Sequence, residues 1–232
     1  IVYQARFPKE IDTLSLGQRP LVVTDGAFAT TGALPPLDQY ADLLKHVDGR
    51  LLVDESHSGG VVGETGRGSA QHYGVEHITH VGVTLSKAFC GHGAVYVGSK
   101  AQVERAVAAK PIRGSNSGTP ISANVCAAAL KLVRNNPDLC KRVRESADYL
   151  RNNLRALGLD VSDTQAPIVS FSYAGFSEMR NIQQYLFNQR MYVLHSNYIA
   201  SGPGGIIRLS IFADHSVQDL DRVTAAIDGA LS

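Results

Sequence analysis

The sequence predicts an α/β fold, a mostly parallel sheet sandwiched by helices, followed by a smaller C-terminal α+β domain. Three observations carry that reading. Short aliphatic runs recur through the first half with helical stretches between them, the pattern of a parallel sheet with crossovers. Those runs are continuous rather than alternating, which predicts strands covered on both faces. A long helical segment then separates them from a second, more mixed set of strands and helices.

In chain order, Leu21-Val22-Val23-Thr24 reads as the first strand, and Pro35-Pro36 opens a helix from Leu37 to His46. Asp48-Gly49 ends that helix, and Leu51-Leu52-Val53 is the next strand. Val81 to Thr84 and Ala94 to Val97 are two more. Lys100 to Ala109 is helical, Pro111 to Pro120 is a loop rich in Gly, Ser and Asn, and Ile121 to Arg134 is an Ala-rich helix. Pro137 starts a long helix to about Leu157. Beyond it come strands at Ile168–Tyr173, Tyr192–His195 and Ile206–Phe212, with helices at Ser177–Gln189 and Val217–Leu231. The domains expected are residues 1–134, a connecting helix over 135–158, and a small α+β domain over 159–232.

Composition narrows the function. At 232 residues, 44% hydrophobic and net charge +1, the chain has a globular core but neither a basic footprint for nucleic acid nor a polybasic patch for membranes. No apolar run approaches the roughly 18 residues of a spanning helix, and no leader pattern is visible from Ile1. Cys90, Cys126 and Cys140 lack metal-type spacing and read as free thiols of a reducing cytoplasm.

Two strand ends carry residues that a core avoids. In "LLVDESHSGG", Asp54 and His57 follow an apolar strand; in "VGVTLSKAFCGHGAVYVGS", Lys87 sits between two apolar runs. A buried Asp54–Lys87 ion pair is one explanation, and a lysine reaching water along its stem is another. An acid–base pair without a cofactor is a third. A metal site is disfavoured, because Asp54-x-x-His57 has no partner cluster and His72, His77 and His80 lie in a polar segment. A fourth explanation is a reactive, neutral amine. Deprotonating an ordinary lysine at pH 7 costs about 4.6 kcal/mol, so the site must lower its pKa, which apolar surroundings do.

These motifs taken together resemble the α-oxoamine synthases. Strand–Asp-Glu-Ser-His–Gly-Gly, then Gly63-Glu64-Thr65-Gly66-Arg67-Gly68, then Thr84-Leu85-Ser86-Lys87 follow that family's order and spacing. The likeness runs from "VVTDGAFATTGALPPL" to "IIRLSIFADHSVQDLDRV". It implies the aspartate-aminotransferase fold and pyridoxal 5'-phosphate (PLP), with residues 1–134 as part of the PLP-binding large domain. It implies Lys87 as the Schiff-base lysine, Asp54 as partner of the pyridine nitrogen and His57 as partner of the phenolic oxygen. Thr84 would bond the phosphate, Thr119 would reach the phosphate of the other subunit's cofactor, and Arg208 would grip the substrate carboxylate. Thr119 before Pro120 also reads as a helix cap, and both roles are compatible.

The activity implied is condensation of an amino acid with an acyl-CoA or related thioester, usually with decarboxylation, in a cytoplasmic homodimer with shared active sites. An aminotransferase of the same fold and a non-catalytic partner subunit are the alternatives, and the presence of Lys87, Asp54 and His57 speaks against the latter. The sequence departs from the family at Ala29, where serine is common, at Cys90-Gly91-His92-Gly93, and across Val193 to Gly205. The family's N-terminal part, which supplies the aromatic residue stacked on the cofactor, is expected to lie upstream of Ile1, leaving this chain incomplete as a catalyst.

Overall fold

A computed structural model describes residues 2–4, 19–113, 118–198 and 201–231. Residues 114–117 of the expected Gly/Ser/Asn loop and 199–200 of the divergent segment lie outside the described residues. The chain forms two compact units, residues 1–27 with 34–137, and residues 28–33 with 138–232.

The first unit is built on a sheet of order β1-β2-β3-β4-β5 among the described residues. Its strands are β1 (Val2–Gln4), β2 (Leu21–Asp25), β3 (Arg50–Asp54), β4 (Thr79–Thr84) and β5 (Ala94–Val97). β1 to β4 run parallel and β5 antiparallel to β4. Helix α1 (Leu37–Leu44) crosses from β2 to β3 and buries Leu37, Tyr40 and Leu44, one helical face, against Val22, Leu51 and Val53. A short helix α2 (Ser69–His72) precedes β4. Helices α3 (Lys100–Ala108) and α4 (Pro120–Asn135) follow β5.

Val22, Leu51 and Val53 are buried beneath α1, whereas Val23 and Leu52 on the opposite face are only half-buried, and β5 is exposed along its whole length. Among the described residues, α1 covers one face of β2 and β3. α4 likewise buries Ser122 and Cys126 but leaves Ile121, Val125 and Leu132 exposed on a second apolar stripe.

The second unit has an antiparallel sheet of order β6-β7-β9-β8. Its strands are β6 (Asp160–Val161), β7 (Ile168–Ser172), β8 (Leu194–Ser196) and β9 (Ile206–Ser210). Helices α5 (Asp138–Ala156), α6 (Phe176–Asn188) and α7 (Val217–Leu231) bury Leu150, Leu154, Met179, Leu186 and Ile227 in a core shared with Val169, Phe171 and Ile207. The strand expected over Tyr192–His195 starts two residues later, because pairing begins only where Leu194 opposes Arg208. Arg151, on α5, is the largest fully buried side chain. It donates to the carbonyl of Ala166, to that of Ile168 at 3.4 Å and to Asp148 at 2.6 Å.

Candidate active site

β3 and β4 are neighbouring parallel strands, with Val53 opposite Val81 and Asp54 opposite Gly82, so their C-terminal ends emerge side by side. That end of a parallel sheet is where α/β proteins hold ligands. The turn after β3 is pinned to both neighbours: Gly26 N–H donates to Asp54 O at 2.7 Å, and Glu55 N–H to Gly82 O at 2.8 Å. Asp54 Oδ1 accepts the Ser56 N–H at 2.9 Å, and Ser56 Oγ accepts the Thr84 N–H at 3.2 Å.

His57 and Lys87 meet across this gap, Nε2 and Nζ lying 2.9 Å apart. Asp54 and Lys87 are both exposed. The expectation of an amine enclosed by apolar neighbours is therefore corrected. The apolar residues of β4 stop at Val83, and Thr84 and the following turn carry Lys87 out beyond the end of the sheet. The buried ion pair falls for the same reason. Thr84 Oγ1 lies 2.9 Å from Ser86 Oγ and donates to Gly93 O at 3.2 Å.

The turn bearing Lys87 is closed by Leu85 N–H to Gly93 O at 2.9 Å, Gly91 N–H to Leu85 O at 2.8 Å and Cys90 N–H to Lys87 O at 3.1 Å. Leu85 and Phe89 pack on Cys126 of α4. Ser122 fastens the turn further, accepting the His92 N–H and donating to its carbonyl, each at 2.7 Å. Thr119 caps α4, its Oγ1 accepting the Ser122 N–H at 3.2 Å with Pro120 in the first helical turn. The cap expected at Thr119 is present, and through Ser122 it is joined to the lysine turn.

Arg208 lies on β9 in the second unit, opposite Ser170 of β7. Its Nε donates to Ala29 O at 2.7 Å and Nη1 to Ser210 Oγ at 2.9 Å, and burial holds its pKa below the usual guanidinium value. The structure thus brings Asp54, His57, Thr84 and Lys87 to one sheet end and Thr119 to the helix clamped beside it, while Arg208 belongs to the other unit.

Sequence reasoning assigned no role to Glu55, Ser56, Ser86 or Ser122. Glu55, Ser56 and Ser86 sit inside the quoted motifs, so their position was visible. Ser122 gave no signal, because its partner His92 is 30 residues away.

The model of the family described as aminotransferase class I and II matches residues 8–227. The chain belongs to that family. Among curated relatives, the 8-amino-7-oxononanoate synthase of Petrotoga mobilis is 30% identical over 207 residues, 88% of this chain and 53% of that protein. The 8-amino-7-oxononanoate synthase 1 of Bacillus subtilis is 28% identical over 212 residues, 90% of this chain and 54% of that protein. The resemblance to α-oxoamine synthases drawn from the motifs agrees with these relatives. Among solved structures, a Sphingomonas wittichii serine palmitoyltransferase superposes with a TM-score of 0.87 at 24% identity, covering 96% of this chain and 57% of that one. The 8-amino-7-oxononanoate synthase of Francisella tularensis gives 0.82 at 23%, covering 99% and 68%. These likenesses establish the aminotransferase fold. The chain spans about half the length of the curated relatives it matches.

Proposed function

We propose that the chain carries the lysine-bearing part of a PLP-dependent acyltransferase that condenses an amino acid with an acyl-CoA or related thioester, usually with decarboxylation. The observation that carries this reading is the 2.9 Å approach of Lys87 Nζ to His57 Nε2 at the joint end of β3 and β4, with Asp54 at the same end. Names of relatives sharing about 30% of their residues support the substrate class.

The residues fit the cofactor. An aldehyde needs a primary amine to attach to, a pyridinium an adjacent carboxylate, and a phenolic oxygen a hydrogen-bonding partner. Lys87, Asp54 and His57 supply these three chemistries from strand ends that are exposed or half-exposed and so open to a ligand. When bound, PLP supplies an electron sink for negative charge developing at the substrate α-carbon. Asp54 keeps the ring nitrogen protonated by pairing with it. His57 orients the phenolic oxygen and holds its hydrogen bond. Lys87 would hold the cofactor covalently and would move the proton at the substrate α-carbon. Thr84 would bond the phosphate, and Thr119 would serve the phosphate of the partner subunit's site. Arg208 takes the substrate carboxylate with its forked donors.

A homodimer suits the exposed stripe of Ile121, Val125 and Leu132 on α4. Cys90, Cys126 and Cys140 are in no disulfide among the described residues, which suits the cytoplasmic location proposed. No helix is long and apolar enough to cross a membrane among the described residues.

The test has two stages. Borohydride reduction of protein mixed with PLP is expected to fix the label on Lys87, and Lys87→Ala to abolish it. With the intact enzyme, amino acid plus acyl-CoA is then expected to release free CoA thiol. Amino transfer to a 2-oxoacid without thiol release would instead establish the aminotransferase alternative, and a Lys87 left unlabelled in the intact enzyme would leave the non-catalytic subunit.

A further inference from the structure

The turn after β3 holds a carboxylate that the proposed chemistry does not use. Glu55 is 1% exposed, and its oxygens accept three hydrogen bonds from neutral groups. The donors are the Ser58 hydroxyl, the Ser69 N–H at 2.8 Å and the Ala70 N–H at 2.8 Å. Ser69 in turn donates its hydroxyl to Gly26 O at 2.5 Å. The backbones of Gly26 and Gly68 lie against the carboxylate so closely that a Cβ at either would overlap it. Gly68 also has φ 95°, a left-handed conformation that suits glycine. One buried group therefore ties together the end of β2, the turn after β3 and the start of α2.

Three consecutive residues of the turn have separate partners. Glu55 points inward, Ser56 reaches Thr84 on β4, and His57 reaches Lys87. A carboxylate suits the inner position, because its oxygens accept all three converging hydrogen bonds. A glutamine would set an NH2 against a backbone N–H or the Ser58 hydroxyl. Burying such a carboxylate with no cation beside it among the described residues is unfavourable, and the three hydrogen bonds offset that cost.

We propose that Glu55 is a positioning residue: its inward anchor fixes the turn from which Asp54 and His57 face the site, and so sets the separation of His57 from Lys87. The inference deepens the functional reading above and rests on it for the meaning of that separation. The geometric claim can be tested without cofactor.

The experiment follows the ring ¹⁵N signals of His57 in cofactor-free protein, with and without Lys87→Ala. In otherwise wild-type protein the substitution is expected to displace the His57 signal, because the rings and amine are in contact. In Glu55→Gln that displacement is expected to fall to under half, as coupling between neighbours is lost when their geometry is. Leu44→Ala, which removes only core packing under α1, serves as the control for lowered stability and is expected to keep the full displacement. A full displacement in Glu55→Gln, none in wild type, or an equal loss in Leu44→Ala would each overturn the proposal. Should Glu55→Gln fail to fold, Ser58→Ala removes one of the three donors; a partial loss of displacement would support the role and none would refute it. PLP labelling of Lys87 is measured on the same samples. Unlabelled Lys87 with a displacement lost in Glu55→Gln would refute the cofactor reading alone, and normal labelling with a displacement kept in Glu55→Gln would refute the positioning role alone.

Discussion

Ser122 holds both backbone polar groups of His92, accepting its N–H and donating to its carbonyl, each at 2.7 Å. A hydroxyl is among the few side chains able to do both at once. The consequence is that the turn bearing Lys87 is braced against α4 rather than left as a loop on the surface. Beside this clamp Gly91 passes so close to α4 that a Cβ would overlap Cys126 Sγ. The glycine is needed for that approach, not for an unusual φ.

Gly91→Ala is therefore expected to push the lysine turn off α4 and destabilise the protein by about 1–3 kcal/mol, the range for overpacking a close contact. Cys126→Ala in the same chain removes the sulfur that is struck, and the double variant is expected to recover part of the loss. Urea unfolding of wild type, both single variants and the pair measures the coupling. Additive losses would mean that the contact between Gly91 and Cys126 does not limit the turn.

Glu55 gives a pH signature with a definite sign. Burial raises its pKa above the ordinary carboxylate value, outweighing the lowering by the hydrogen bonds from Ser58, Ala70 and Ser69, and the nearby charge of Asp54 adds to the rise. A group raised on folding favours the folded state most while it is protonated in both states. Its contribution is fully present below the unfolded value, about 4.3, and is lost as pH rises through the folded value. Unfolding free energies of wild type and Glu55→Gln, measured from about that pH to neutrality, are expected to differ in slope, the wild type declining more steeply. Parallel profiles would show that the carboxyl titrates alike in both states.

Much of this architecture was legible because a few strong signals coincide. The aliphatic runs around Val22, Leu51, Val83 and Val95 all became strands, and the helix expected from Leu37 packs the face that its spacing marked. β1 and β6 were missed because three and two residues are too few to show a period. Asp54, His57 and Lys87 stood out as polar groups at the ends of apolar runs. Their supports did not. The Ser122–His92 clamp and the Ser69–Gly26 bond join residues 30 and 43 positions apart, and no local pattern encodes such pairings. Arg151 on α5 was hidden for another reason: arginine on an amphipathic helix reads as a solvated face, and only the fold shows it buried.

Arg208→Lys separates shape from charge in the second unit. The guanidinium bonds Ala29 O through Nε and Ser210 through Nη1 at once, a geometry that an ammonium cannot reproduce. If Arg208 also takes the substrate carboxylate, the lysine variant is expected to raise KM for the amino acid about tenfold, about 1.4 kcal/mol of binding, with kcat little changed. Steady-state kinetics of the intact enzyme with varied amino acid at fixed thioester measure it. An unchanged KM would confine Arg208 to holding the backbone at Ala29.

Arg151 and Asp148 form a pair whose two members should behave very differently. The arginine side chain is 1% exposed and the aspartate 60%, at 2.6 Å. Removing Arg151 strands the carbonyls of Ala166 and Ile168 inside the second unit, each worth about 1–3 kcal/mol when left unsatisfied. Removing the charge of Asp148 takes away one partly solvated contact, worth about 0–1 kcal/mol. Arg151→Ala is accordingly expected to lower the thermal midpoint by several degrees and Asp148→Asn by about a degree or two, at about 2–4 °C per kcal/mol for a chain of this size. Burial also lowers the arginine's pKa from its ordinary value, with Asp148 opposing that shift, so Asp148→Asn tests whether the aspartate is needed to hold the cation. Calorimetry of both variants decides: equal losses would place the energy in the ion pair, whereas a large loss for Arg151 alone would place it in the two carbonyls that the guanidinium joins.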